Sequence, residues 1–281
     1  MDDFAACAGG SGLTSLIQAL AHQPALLVTV TATQGSAPRE VGAWMAVCAD
    51  RLLGSIGGGH LEWRACALAR AWLQHGPEAR TWPQRQRFAL GPTLAQCCGG
   101  AVELDFDWLA DPAAARTRPG LEPPSRAPVA IFGAGHVGQA LVRALLPLPF
   151  ALRWFDSRDG MFPARLPPAV QAELSDPVER AVPGLDSGSR VLILSHSHAD
   201  DFELVAACLR RQRERADLAF IGLIGSRSKW ASFRQRLRAR GFLDHELERV
   251  TCPIGLSGIA GKQPAVIAAC VAAQLLLSHP A

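Results

Sequence analysis

Lysine is nearly missing from this chain. It occurs only at Lys229 and Lys262, and the rest of the positive charge is arginine. The formal net charge is +3, and no basic tail carries interleaved aromatics, so a nucleic-acid partner is not expected. The eight cysteines contain no C-x-x-C pair, which argues against a structural zinc site. A chain of this size does not depend on disulfides either, and its thiols are expected to be reduced. A long hydrophobic run is also lacking. The longest, Ala265 to Leu277, is interrupted by Gln274 and falls short of the roughly 20 residues a bilayer demands. A buried C-terminal helix is expected there, and no membrane partner. Met1-Asp2-Asp3-Phe4 is acidic where a secretory leader is basic, so a soluble, cytoplasmic protein is expected. No repeat of fixed period is present.

What remains is globular in character. Of 281 residues, 49% are hydrophobic and 19% charged, enough for substantial cores and consistent with two domains. Asp111 to Pro128 is rich in Pro, Ala and Arg, lacks apolar periodicity, and reads as an extended interdomain linker. Residues 1–110 before it read as a small α+β domain. Strands are expected at 26–32, 44–48, 88–90 and 102–106, with a helix at 61–74. Residues 129–281 alternate strand and helix. Strands are expected at 129–132, 152–155, 191–194, 218–224 and 250–252, and helices at 138–146, 200–213, 228–240 and 264–276. That alternation predicts an α/β, doubly wound parallel sheet of Rossmann type.

Gly133-Ala134-Gly135-His136-Val137-Gly138 matches G-x-G-x-x-G between an expected strand and an expected helix. Gly133 allows a tight turn, Gly135 lets backbone N–H groups approach a phosphate, and Gly138 lets helix and strand pack closely. Asp156 ends the next strand, where an acidic side chain can accept hydrogen bonds from ribose hydroxyls, and nearby Arg158 can instead meet a phosphate. The site is expected either to hold a phosphate-bearing ligand, a nucleotide such as NAD or NADP or a pterin, or to be an empty crevice in a fold retained for packing. An oxidoreductase using NAD(P) is therefore one reading. A second competing class rests on Ser195-His196-Ser197-His198-Ala199-Asp200-Asp201, whose H-x-H-x-D spacing is that of a metallohydrolase site. A third reading of the same turn is structural, with Ser195 or Ser197 capping the following helix and Asp200 in its first turn.

Three segments of the N-terminal domain also carry chemistry. Gln34-Gly35-Ser36-Ala37-Pro38-Arg39 follows a strand and offers a hydroxyl and a guanidinium fork. Gly57-Gly58-Gly59-His60-Leu61-Glu62 is entropically costly, and suits a place where backbone N–H groups converge on an anion. Gln96-Cys97-Cys98-Gly99-Gly100 sets thiols beside a glycine turn, where they can meet a soft metal.

Together, Q-G-S-A-P-R, G-S-I-G-G-G-H-L-E and L-G-P-T-L-A-Q-C-C-G-G resemble the N-terminal domain of the XdhC/CoxI family of accessory proteins. A-I-F-G-A-G-H-V-G (130–138), L-S-H-S-H-A-D-D (194–201), I-G-L-I-G-S-R-S-K (221–229) and C-P-I-G-L (252–256) are similar to that family's C-terminal Rossmann domain. S-G-I-A-G-K-Q-P after Leu256 is similar to the branch associated with xanthine dehydrogenase. The resemblance implies a chaperone rather than an enzyme, with no catalytic residue. Its cargo is the molybdenum cofactor, a phosphorylated pterin-dithiolene. It protects that cofactor, supports its sulfuration with sulfur from a cysteine desulfurase, and inserts it into apo-xanthine dehydrogenase. Other expected partners are molybdenum cofactor biosynthesis proteins and a second copy of the chain, since a symmetric dimer is the commonest assembly. Cargo-binding residues are then expected in the three N-terminal loops, with Cys98 as a molybdenum contact, and in the crevice formed by Gly133, Gly135, His136, Gly138, Asp156, His196, His198 and Asp200.

Overall fold

A computed structural model describes residues 12–77, 83–90, 100–121 and 126–278. They divide into two compact units, one within residues 9–123 and one within 124–281.

The first unit runs α1 (Gly12–Leu20), β1 (Ala25–Gln34), β2 (Trp44–Val47), β3 (Leu52–Gly54), α2 (Gly59–His75), β4 (Arg85–Ala89), β5 (Ala101–Leu109) and α3 (Pro112–Thr117). Its five strands pair antiparallel in the order β3-β2-β1-β5-β4. The two-residue period of β1 divides its side chains between two cores. Leu26, Val28 and Val30 meet Leu61, Ala65 and Ala69 of α2, while Ala25 and Leu27 meet Leu16, Ala19 and Leu20 of α1. The expected extended linker is corrected here. Its start is helix α3, with Pro112 in the first turn, the Asp111 carboxylate accepting from the Ala114 amide, and Ala115 buried in the core beneath α1. An N-cap Asp followed by Pro is a helix start signal. The run was too short for periodicity to reveal it.

The second unit runs β6 (Ala127–Phe132), α4 (His136–Leu145), β7 (Phe150–Asp156), β8 (Val170–Leu174), a 3-10 helix (Val178–Gly184), β9 (Arg190–Ile193), α5 (His198–Arg215), β10 (Phe220–Leu223), α6 (Arg227–Ala239), α7 (Asp244–Leu247), β11 (Val250–Thr251) and α8 (Pro264–Leu277). All six strands are parallel, in the order β8-β7-β6-β9-β10-β11. Numbered within the unit this is 3-2-1-4-5-6, the order of doubly wound dinucleotide-binding sheets. Alternation again sorts side chains by face. Val129 and Ile131 join α4 and α8 on one side, and Ala130 and Phe132 join α5 and α6 on the other. The central strand β9 is buried along its whole length, as a strand covered on both faces must be. Helix α8 packs Ala268, Val271, Ala272 and Leu275 against Leu141, Val142 and Leu145 of α4. Among the described residues, no helix is long and apolar enough to cross a membrane.

Candidate functional site

The strand order reverses direction between β6 and β9. Ligands of such sheets bind in the crevice outside the carboxyl ends of those two strands. A cleft of about 300 Å³ lies there, lined by Gly135, His136, Val137, Gly138, Arg158, Leu194, Ser195, His196 and Ile224.

Each glycine of the fingerprint has a distinct reason to be glycine. Gly133 has φ +129°, and a Cβ would lie 2.1 Å from the Leu194 carbonyl oxygen. It lets the turn press against the end of β9. A Cβ on Gly138 would lie 1.9 Å from the Gly133 carbonyl oxygen, which already accepts a 3.0 Å bond from Trp154 Nε1. Gly135 meets nothing within 4 Å, so its surroundings are open. It precedes α4, and no side chain caps that helix. By contrast α5 and α6, which start at the same edge of the sheet, are capped by Ser197 and Ser226. The first-turn amides of α4 thus face the cleft with the partial positive charge of a helix start, an arrangement that suits an anionic oxygen.

Asp156 behaves differently from the sequence expectation. Its side chain is 1% exposed. Oδ2 accepts from the Ala134 amide (2.6 Å) and Arg158 Nη2 (3.0 Å), and Oδ1 accepts from the Arg158 amide and Nε (both 2.9 Å). A carboxylate has about four acceptor positions, so it is filled from within the protein. Burial pushes this carboxyl up, but the bonds from Arg158 and from the two amides outweigh it and hold it below the usual carboxylate range. Arg158, not Asp156, lines the cleft.

The turn after β9 is held by a buried ion pair. Asp201 Oδ1 accepts from the Ser195 amide (2.9 Å) and the Ser195 hydroxyl (2.7 Å). Asp201 Oδ2 meets Lys229 Nζ at 2.5 Å, and Lys229 also donates to the Ile224 carbonyl at 3.0 Å. Ser195 and Ile224 both line the cleft, so this pair fixes two of its walls. Sequence reasoning missed Asp201 and Lys229 as a pair. The available signal was that one of two lysines in the chain falls in the first turn of the helix that follows a sheet strand. The half-buried Cys252 lies near this pair. Burial pushes its thiol up to about 11, against the pull of Lys229, so it is a neutral thiol near pH 7.

Of the other predicted crevice residues, His136 and His196 line the cleft on its exposed rim. Ser197 Oγ accepts from the Ala199 and Asp200 amides, which bears out the helix-cap reading of that turn. His198 and Asp200 belong to the first turn of α5, and His196 Nδ1 lies 3.7 Å from the Asp200 carboxylate. Among the described residues, no group of three His, Cys, Asp or Glu side chains is placed to hold a metal ion.

In the first unit the glycine loops meet one another. A Cβ on Gly57 would lie 2.5 Å from Pro38 Cβ, and one on Gly100 would lie 2.4 Å from the carbonyl oxygens of Gln34 and Ser36. A Cβ on Gly35 would lie 3.3 Å from Gly100 Cα, closer than ordinary contact. The Gln34–Arg39 turn therefore packs against both other glycine segments. The amides expected to converge on an anion converge instead on Glu62. Its Oε2 accepts from Ser55 Oγ (2.6 Å), the Ile56 amide (3.0 Å) and the Gly58 amide (3.1 Å). Gln34 Oε1 accepts from Arg87 (2.6 Å), and the Arg39 fork meets the adjacent Glu40 at the surface. His60 stands exposed beside Trp63, ring centroids 5.2 Å apart, with Trp63 66% exposed. Ser36 and Gly59 are exposed at the same loops. Cys97, Cys98 and Gly99 lie outside the described residues.

Comparison with known proteins agrees with this architecture. A family model described as the XdhC and CoxI family matches residues 19–83, and one described as the XdhC Rossmann domain matches residues 129–275. A curated relative, an uncharacterized Escherichia coli (strain K12) protein called YqeB, is 26% identical over 255 residues. That alignment covers 90% of this chain but 43% of the relative, so the chain spans less than half of that protein's length. A solved structure described as a xanthine dehydrogenase from Bacillus halodurans superposes with a TM-score of 0.75 at 20% identity, covering 96% of each chain. At that identity the likeness is one of fold. The two family models fall in order along the sequence, and the Rossmann model alone covers more than half of it: this chain belongs to the XdhC and CoxI family.

Proposed function

We propose that this protein is a molybdenum cofactor chaperone for a xanthine dehydrogenase-type hydroxylase. In this reading it binds the phosphorylated pterin carrying molybdenum, shields it while a terminal oxo ligand is exchanged for sulfido, and releases it to the apo-enzyme. A cysteine desulfurase supplies the sulfur as a persulfide, a second thiol reduces it to the sulfide level, and the displaced oxo ligand leaves as water. The observation that carries the reading is family membership across both units of one chain. The similar Bacillus halodurans structure is described as a xanthine dehydrogenase, in keeping with that client.

The geometry supports a carrier in two respects. The second unit has an open cleft with uncapped helix amides and an arginine, which suits a phosphate group. The first unit gathers its loops around small residues, with exposed His60 and Trp63 as planar surfaces beside them. A planar pterin can stack on such rings. Both surfaces are open, as reversible delivery requires. The metallohydrolase alternative lacks support at its expected centre, where Ser197 is used as a cap and His196 and His198 are both exposed.

The test is a reconstitution. Apo-xanthine dehydrogenase is incubated with molybdenum cofactor, cysteine desulfurase and cysteine, with and without this protein. The expected result is a higher yield of active, sulfurated hydroxylase when the protein is present. An equal yield in both arms refutes the proposal.

A further inference from the structure

We infer that the crevice of the second unit is selective for a 2′-phosphorylated adenine dinucleotide of the NADP type, and that Arg158 with Asp156 sets this choice. The inference rests on reading the crevice as a phosphate-ligand site. A dinucleotide and the phosphate of the molybdenum cargo would exclude each other from this cleft, so the test uses cargo-free protein.

In a sheet of order 3-2-1-4-5-6, the carboxyl end of the second strand lies beside the adenosine ribose of a dinucleotide whose pyrophosphate sits on the glycine turn. Here that strand is β7, its last residue is Asp156, and the glycine turn is Gly133 to Gly138. The residues at the end of β7 therefore read the ribose 2′ position.

A ribose diol needs a carboxylate with free acceptor positions. Asp156 has none to spare. Its side chain is 1% exposed, and its oxygens take four bonds from Ala134 and Arg158. A 2′-hydroxyl entering here would have to displace the guanidinium from a bidentate pair, exchanging a cationic donor for a neutral one at a buried carboxylate. What the cleft meets at this corner is Arg158, whose side chain is 35% exposed. Nε and Nη2 are used on Asp156, while Nη1 carries no bond to any described residue. A planar guanidinium held rigid by one carboxylate and open on its far edge suits a phosphate dianion. It gains a strong bond without first having to be ordered.

The rest of the cleft is compatible with the same ligand. Gly135 leaves open space where a pyrophosphate must approach the main chain, and the uncapped first turn of α4 supplies donors. Ser195, His196 and Ile224 line the part beyond β9, where the second nucleotide half would extend.

The experiment is isothermal titration of the full-length, cargo-free protein with NADP⁺, NAD⁺, adenosine 2′-monophosphate and inorganic phosphate. NADP⁺ is expected to bind at least about tenfold more tightly than NAD⁺, the value of one charge-assisted bond. Adenosine 2′-monophosphate should compete with NADP⁺, while inorganic phosphate should compete far more weakly. In Arg158→Ala the preference should collapse from both sides. NADP⁺ weakens, and NAD⁺ strengthens, because Asp156 regains two acceptor positions for the diol. Arg158→Lys, which keeps a charge and loses the fork, should retain only part of the preference. The wild-type comparison needs no variant and so stands even if Arg158→Ala folds poorly. Equal affinities, tighter NAD⁺, no binding of either dinucleotide, competition by inorganic phosphate as strong as that of adenosine 2′-monophosphate, or a preference that survives Arg158→Ala would each overturn the inference. Because the protein is titrated without cargo, none of these outcomes depends on whether it carries a molybdenum cofactor.

Discussion

Replacing Lys229 by Met removes one half of a buried ion pair and leaves the other half in place. The Lys229 and Asp201 side chains are 12% and 2% exposed, so solvent screens them little. Breaking a buried pair from one side typically costs about 3–5 kcal/mol, because an uncompensated charge stays behind. Asp201 would keep its two bonds from Ser195, which softens the loss, and Met fills much of the same volume. The expected cost is therefore near the lower limit, about 3 kcal/mol. For a unit of this size that lowers the transition temperature by roughly 6–12 °C. Circular dichroism reads the transition of the full chain. Hydrogen exchange over residues 190–202 localises the loss to the end of β9 and the start of α5. Adding Asp201→Asn should restore part of the stability, since an amide can stay buried without a counter-ion, and the two changes must then be non-additive. A loss below about 1 kcal/mol, or additive effects in the double variant, would refute the claim that this pair fixes the cleft wall.

The fingerprint glycines should separate by role. Gly133→Ala and Gly138→Ala drive a Cβ into backbone oxygen and should each destabilise the second unit by at least about 1–3 kcal/mol in urea titration. Gly135→Ala has open space and should leave the urea midpoint nearly unchanged. Glu62→Ala removes the acceptor shared by Ser55, Ile56 and Gly58, and should cost about 1.5–3 kcal/mol with faster exchange over residues 55–60. Asp156 gives a pH signature. Its folded pKa is depressed, so its contribution is complete above the unfolded value of about 3.9 and is lost as pH falls through the lower folded value. The stability advantage of the wild type over Asp156→Asn should therefore be constant from pH 7 to about pH 5 and shrink below about pH 4.

The second unit was largely legible in the sequence because its signals are local. The short apolar run Val129 to Phe132 before G-A-G-H-V-G, Pro147 just beyond α4, and the apolar cluster Val191 to Leu194 each encode an element without outside help. Strand β8 was missed because Val170–Leu174 is a mostly exposed edge with a single buried residue, so it carries no hydrophobic alternation. In the first unit α1 and the short β3 were likewise missed. The site was only half legible, and the reason is partner choice. Asp156 and Glu62 sit where sequence logic expects groups that serve a ligand, yet both are satisfied by amides and side chains within seven residues or by the glycine turn. Spacing can place a carboxylate at the end of a strand or in the first turn of a helix. It cannot tell which donors reach it first. The Lys229–Asp201 pair joins residues 28 apart in the chain, and only the parallel pairing of β9 with β10 brings them together.

Cargo analysis of the protein purified from cells that make molybdenum cofactor bears most directly on the chaperone reading. Native mass spectrometry with metal analysis and pterin fluorescence would give both components in one preparation. The account predicts molybdenum and a phosphorylated pterin in equal amounts, bound to the chain and lost together on denaturation. A fully folded protein recovered with neither component would contradict it.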